Sequence, residues 1–212
     1  MYIGRIVAVG ITSEGKAAAL YRVSSRSFPN REAVISNGKA AVVPRAGFES
    51  DLGKNPYIAY NALRRAGKYM VVTNGSHTDP IAEKIAAGLP PRDALTLSLL
   101  ALDYEHDSLD TPRIAGVIAN DGSEAFLAIV RKDAVLVRKL DPRPGTLFYI
   151  STYEHCYPCE SFHDDAFSAK SAAECCDFII SGGVFAGFTN PVTAASAVAT
   201  DDGGFALAVK NA

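Results

Sequence analysis

The chain has 212 residues, 48% of them apolar, and 21 Lys and Arg against 23 Asp and Glu give a net charge of −2. A chain of this length buries about 70% of its unfolded surface in one core, and without a basic excess a nucleic acid is excluded as its main partner. The start, Met1-Tyr2-Ile3-Gly4-Arg5, lacks the basic-then-apolar order of a signal peptide, and no apolar run approaches the ~20 residues of a membrane helix, so a soluble, cytoplasmic, single-domain protein (residues 1–212) is expected.

Residues 2–12 and 17–23 read as apolar strands joined by the turn Ser13-Glu14-Gly15-Lys16. Residues 32–36 and 39–43 flank Asn37-Gly38, a pair that tolerates positive φ and marks a tight hairpin. Residues 57–63 are ambiguous between strand and helix, and 69–73 form a short buried strand. Thr78-Asp79-Pro80 then offers a capping residue and a first-turn proline for a helix over 81–87 that Gly88 closes. Pro91 and Asp93 start a second helix, along which Leu95, Leu99 and Leu102 recur at helical spacing.

Strands return at 113–119 and 124–131, joined by Asn120-Asp121-Gly122-Ser123, and at 134–140 and 146–152. Residues 153–165 form a polar, cysteine-bearing excursion before a short helix at 169–175. Apolar stretches at 178–184 and 205–209 finish the chain, with the glycine-rich run 182–191 near a strand end. Hairpin strands with helices grouped between them predict α+β layering, and neither a dinucleotide nor a Walker fingerprint is present.

Five clusters carry the candidate chemistry. Tyr21-Arg22-Val23-Ser24-Ser25-Arg26-Ser27-Phe28-Pro29-Asn30-Arg31 sets planar guanidinium forks beside hydroxyl donors, which suits a phosphate or carboxylate. Asn55 to Asn61 places Tyr57 and Tyr60 in an apolar segment, where a tyrosine is commonly a core residue with one satisfied hydroxyl. Asn74-Gly75-Ser76-His77 leads into a helix N-terminus, whose free N–H groups favour an anion. Asp103-Tyr104-Glu105-His106-Asp107 ends a helix where carboxylates are mildly repelled, and Arg113 follows at the next strand. The glycines at 182, 183 and 187 either make a turn or let backbone close over a ligand.

Cys156-Tyr157-Pro158-Cys159, between His155 and His163, has the spacing of a zinc knuckle or redox pair. The adjacent Cys175 and Cys176 do not supply the second half of a zinc site, so no metal is expected and free thiols are the default.

Residues 22–31, 55–61, 74–80 and 103–116 together resemble the archaeal-type IMP cyclohydrolase family, over essentially the whole chain. The resemblance implies a four-layer αββα sandwich of two antiparallel sheets, similar to N-terminal-nucleophile hydrolases. The chain begins Met-Tyr and offers no starting Cys, Ser or Thr nucleophile, so it also implies a scaffold put to different chemistry. The implied reaction is cofactor-free ring closure of the formamidocarboxamide ribonucleotide to IMP with loss of water, in an anion-binding pocket that takes a purine ribonucleotide, within a homo-oligomer. Arg22, Arg26 and Ser25 would then grip phosphate or carboxamide oxygen, with Ser24, Asn55, Asn74, His77 and Tyr104 as further binding residues. Tyr60 would serve as acid, Glu105 as base, Asp103 as alternative base and Arg113 as their orienter. An N-terminal-nucleophile amidohydrolase and a non-catalytic nucleotide sensor are the competing readings.

Overall fold

A computed structural model describes residues 1–212. The chain opens with β1 (Ile6–Ile11) and β2 (Ala17–Ser24), then the hairpin of β3 (Arg31–Ser36) and β4 (Lys39–Pro44). At its tip Asn37 and Gly38 have φ of 51° and 70°, the left-handed pair the sequence predicts. A single turn α1 (Asp51–Lys54) and a 3-10 turn at Pro56–Ile58 precede β5 (Tyr60–Ala66) and β6 (Tyr69–Thr73), which resolves the ambiguity at 57–63. The helices α2 (Thr78–Ala86) and α3 (Pro91–Leu102) follow. The chain continues as β7 (Arg113–Ala119), β8 (Ala125–Arg131), β9 (Ala134–Leu140), β10 (Thr146–Ser151) and the two-residue β11 (His163–Asp164). It ends with α4 (Ala172–Ser181), a 3-10 turn at Gly183–Gly187, β12 (Pro191–Ala199) and β13 (Phe205–Asn211).

The strands form two antiparallel sheets, in the orders β11-β10-β1-β2-β12-β13 and β3-β4-β5-β6-β7-β8-β9. Side chains alternate across a strand, so each sheet feeds two apolar layers. Val7, Val9, Tyr21 and Val23 meet Val72, Leu127 and Ile129 between the sheets. Ile6, Ala8 and Leu20 on the opposite face meet Cys175, Cys176 and Ile179 of α4. Behind the larger sheet, Val71, Ala115 and Val117 pack on Ile81 and Ile85 of α2 and on Leu95 and Leu99 of α3. The result is helix, sheet, sheet, helix, the expected four-layer α+β order. Because both faces of β2 are covered, all eight of its residues are buried.

Two sequence expectations are corrected here. The helix near 169–175 lies later, over Ala172–Ser181, and takes in the first part of the apolar stretch 178–184. Its start is fixed by a capping box in which the Ser171 hydroxyl accepts from Glu174 N and the Glu174 carboxylate accepts from Ser171 N. The glycine-rich run therefore leaves a helix and precedes a strand. That strand, β12, was not apparent because its Pro-Val-Thr-Ala-Ala-Ser-Ala-Val-Ala sequence is rich in alanine, which has little β preference. Burial between β2 and β13 and under α4 decides its state instead.

Candidate functional site

A cleft of about 520 Å³ opens at one end of the sandwich, where the β2–β3 loop, residues 54–58 and the loop after α3 converge. Its cationic wall holds Arg5, Arg31 and Lys54, and Ser25, Ser27 and Asn55 supply neutral polar groups. Tyr2, Tyr57 and Tyr153 contribute aromatic surface, and His106 and Asp107 lie on the far side. Beneath Arg5 and Arg31 sits a second tier of buried polar side chains, comprising Tyr21, Tyr60, Glu105, Arg113 and His77.

Arg5 Nη2 donates to Glu105 Oε2 at 2.9 Å. Glu105 is fully buried, and its Oε1 faces Arg113 Nη1 at 3.9 Å, too far for a hydrogen bond. Oε1, Arg113 Nη1 and Arg5 Nε have no hydrogen-bond partner within the protein. Buried polar atoms ordinarily have partners. Three unspent ones around one carboxylate mark a place prepared for polar ligand atoms. Burial raises the Glu105 carboxyl above the usual carboxylate range, and the two guanidiniums oppose that rise. On Arg5 burial, the largest single cause, disfavours the charge, but Glu105 together with Tyr60, Tyr21 and Tyr153 outweighs it and holds the guanidinium more firmly protonated than usual.

The tyrosines complete this tier. The Tyr21 and Tyr60 hydroxyls are 2.6 Å apart with the rings edge to face. Burial, then the neighbouring Tyr60, pushes the Tyr21 phenol well above its ordinary range. Arg31 donates through Nε to Phe28 O at 3.1 Å, which aims the remaining guanidinium inward. Arg113 donates through Nε to Asp103 O at 2.8 Å and lies 5.5 Å above the Tyr57 ring.

Several candidates stand elsewhere. Arg22 points away from the cleft, since it lies one residue from Tyr21 on a strand and so faces the α4 layer. Its guanidinium donates to the carbonyls of Ile179, Ile180, Phe185, Phe188 and Thr189, and its Nε to Ser24 Oγ. Both Arg22 and Ser24 are thus spent on structure, and burial lowers the Arg22 guanidinium to about 10. Asn74 is also spent: its amide donates to Pro112 O and accepts from Ile114 N, tying the β6–α2 loop to β7. Asp103 is half-exposed, accepts from Tyr104 N and pairs with His106 at 3.2 Å. Its main-chain carbonyl meets Arg113, but its side chain turns to His106, so the alternative-base assignment is not supported by its placement. Tyr104 packs against His106 with the rings tilted and their centroids 4.4 Å apart, outside the cleft lining.

Other candidates fit more closely. Ser25 and Asn55 line the cleft, although Ser25 Oγ accepts from Phe28 N and Asn55 Oδ1 from Tyr57 N. Arg26 lies over the Tyr2 ring at 4.2 Å, at the rim. His77 is the helix-entry residue but is fully buried and caps nothing with its side chain. Its Nε2 is 2.9 Å from Ile114 O; a carbonyl only accepts, so that nitrogen carries the proton. The free Nδ1 lone pair and Arg113 Nη1 both press on Gly75, where a Cβ would stand 3.2 Å and 2.9 Å from them. Burial, then Arg113, lowers the imidazole to about 3.

Arg5, Tyr21, Ser27, Arg31 and Lys54 are residues to which the sequence reading assigned no role. Arg31 lay in the arginine-serine loop, and strand alternation placed Tyr21 opposite Arg22. Nothing local marked Arg5, which meets Glu105 across 100 positions of chain.

The cysteines hold no metal cluster: no group of three or more His, Cys, Asp or Glu is arranged to hold an ion. All four are free; Cys175 and Cys176 are buried, Cys156 and Cys159 half-buried.

Fold and cleft together define a four-layer α+β protein whose arginine-lined cleft covers a buried carboxylate and a tyrosine pair. The chain belongs to the IMP cyclohydrolase-like protein family, whose pattern matches residues 2–203. A Methanosphaera stadtmanae protein named IMP cyclohydrolase is 48% identical over 202 residues, covering 95% of this chain and 96% of the relative. Its namesake in Methanococcus maripaludis is 44% identical over 208 residues, covering 98% and 99%. One from Halobacterium salinarum is 53% identical over 173 residues, covering 82% of each.

Proposed function

We propose that the protein is an IMP cyclohydrolase, a single-domain enzyme that closes the formamidocarboxamide ribonucleotide to IMP and water in purine synthesis. The family match supports the reaction. The observation that carries the site is the buried Glu105 carboxylate between Arg5 and Arg113, directly behind the cleft wall.

Ring closure joins the carboxamide nitrogen to the formyl carbon. One proton leaves the carboxamide nitrogen, another leaves the formamide nitrogen, and the formyl oxygen departs as water with two. An amide nitrogen is a weak nucleophile and hydroxide a poor leaving group, so a base, an acid and a held conformation are all required. Glu105 is placed to take the carboxamide proton, because burial favours its protonated form more than water does. Arg5 suits the oxyanion character that develops on the formyl oxygen, being a donor held in place by Glu105. Tyr60 gives the proton to that oxygen. Arg31, Lys54, Ser25 and Ser27 form the anion-binding wall, with Asn55 at its edge, in place of Arg22.

The same layer order supports a scaffold similar to N-terminal-nucleophile hydrolases. A cytoplasmic homo-oligomer is part of the proposal; Leu97 and Leu100, 48% and 66% exposed on α3, give it apolar surface to cover. No helix is long and apolar enough to cross a membrane. The test is ultraviolet absorbance after adding the formylated ribonucleotide: the hypoxanthine band rises with wild-type protein, and a flat trace with bound nucleotide points to a sensor instead.

A further inference from the structure

Tyr21 is fully buried between the sheets, and its hydroxyl has one partner, the Tyr60 hydroxyl at 2.6 Å. A phenol carries one proton to donate and lone pairs to accept with. Were Tyr21 the acceptor, its own proton would have nothing to receive it, since its hydroxyl meets no partner but Tyr60 and the charged groups acting on it, Arg5 and Arg31, only donate, an arrangement that folded proteins avoid. As donor it is fully satisfied.

That choice fixes the other proton. With Tyr21 donating to its oxygen, Tyr60 must direct its own hydrogen elsewhere. The charged groups acting on the pair are Arg5 and Arg31, which carry donors only and cannot accept it. Tyr60 keeps 8% of its surface exposed, whereas Tyr21 keeps none. The unspent donor of the pair is therefore the member nearer the cleft.

We propose that Tyr21 is a positioning residue for ring closure: by donating to the Tyr60 hydroxyl it sets Tyr60 as the proton donor toward the ligand's formyl oxygen. This rests on the cyclohydrolase reading above. As the N–C bond forms, Tyr60 passes its proton to the formyl oxygen and is left as a phenolate, which the Tyr21 O–H stabilises without giving up its own proton. Glu105 hands the carboxamide proton to the same oxygen, the C–O bond breaks, and water leaves. The proton released from the formamide nitrogen restores Tyr60, so the cycle closes with no external reactant.

Steady-state kinetics and urea unfolding of Tyr21→Phe, Tyr60→Phe and the double variant test this. Tyr21→Phe lowers kcat by about 10²-fold, the scale of a misplaced catalytic group, and leaves KM and IMP affinity unchanged. The double variant is no slower than Tyr60→Phe alone, because Tyr21 acts only through Tyr60. In unfolding, Tyr60→Phe strips the Tyr21 proton of its acceptor, so the double variant has the higher midpoint of the two. Wild-type kcat in Tyr21→Phe, or losses that multiply in the double variant, overturns the positioning role. A double variant with a midpoint at or below that of Tyr60→Phe overturns the donor direction, whatever the substrate. A wild-type protein that makes no hypoxanthine, with the predicted midpoint order intact, overturns the cyclohydrolase reading and the positioning role with it, leaving only the donor direction standing.

Discussion

Arg5 and Glu105, 100 positions apart, are joined at 2.9 Å where the segment before β1 passes the loop after α3. The contact is fully desolvated on the Glu105 side, with the carboxylate at 0% exposure and Arg5 at 14%. Truncating one partner of such a pair leaves the other as an uncompensated buried charge. A variant that keeps the shape is therefore the informative one.

Glu105→Gln preserves an acceptor for Arg5 and removes the base. Turnover falls by about 10²–10⁴, while IMP binding measured by calorimetry survives. Wild-type turnover in this variant would remove Glu105 from the proton path.

Arg31→Ala and Arg22→Met separate the anion wall from the scaffold. Arg31 lines the cleft, so its loss raises KM strongly with little change in thermal stability. Arg22 satisfies five main-chain carbonyls on the opposite side of β2, and its loss lowers stability by roughly 3 kcal/mol or more as those acceptors go unpaired. KM in the folded Arg22→Met protein stays at its wild-type value. Paired kinetics and denaturation reverse the assignment if the two effects are exchanged.

His77 makes folding stability sensitive to acid. Its imidazole, buried and beside Arg113, ionises at about 3 in the folded protein against 6.5 for an ordinary histidine. Between those values the unfolded chain binds the extra proton, so stability falls as pH drops below 6.5, at about 1.4 kcal/mol per pH unit. His77→Gln retains a donor for Ile114 O and has no such titration. Its unfolding free energies from urea titrations between pH 6.5 and 4 decline less steeply than wild type by that amount.

Thiol labelling of the native protein reports the two cysteine pairs separately. Burial pushes the Cys175 and Cys176 thiols up, away from the reactive thiolate, whereas Cys156 and Cys159 are partly accessible. A disulfide-exchange reagent modifies Cys156 and Cys159 first, and peptide mapping shows Cys175 and Cys176 protected until unfolding.

Much of the layering followed from short-range signals. The Asn37-Gly38 turn, the proline starts of the helices and the period of Leu95 and Leu99 act within a few residues, and all gave the elements observed. The site was readable only in part. Glu105 drew attention within an acidic run that a helix end mildly repels, and Tyr60 within a polar break in an apolar segment. Arg22 drew the same attention because a run of arginines and serines looks like one surface, although alternation along β2 splits it between two faces. Arg5 was silent because its importance lies wholly in a contact distant along the chain. Strand β12 was silent because its alanines take their conformation from neighbouring layers and not from their own preference.

The two-sided character of β2 couples parts of the molecule that share no contact. Arg22 is a peg holding the end of α4 and the turn after it, while its neighbour Tyr21 touches the hydroxyl assigned to catalysis. A displacement of the outer helix is transmitted through one peptide unit to a hydrogen bond whose alignment matters on a sub-ångström scale. Substitutions around Ile179 or Phe185, far from any ligand, are therefore expected to register as lost turnover before they register as lost binding.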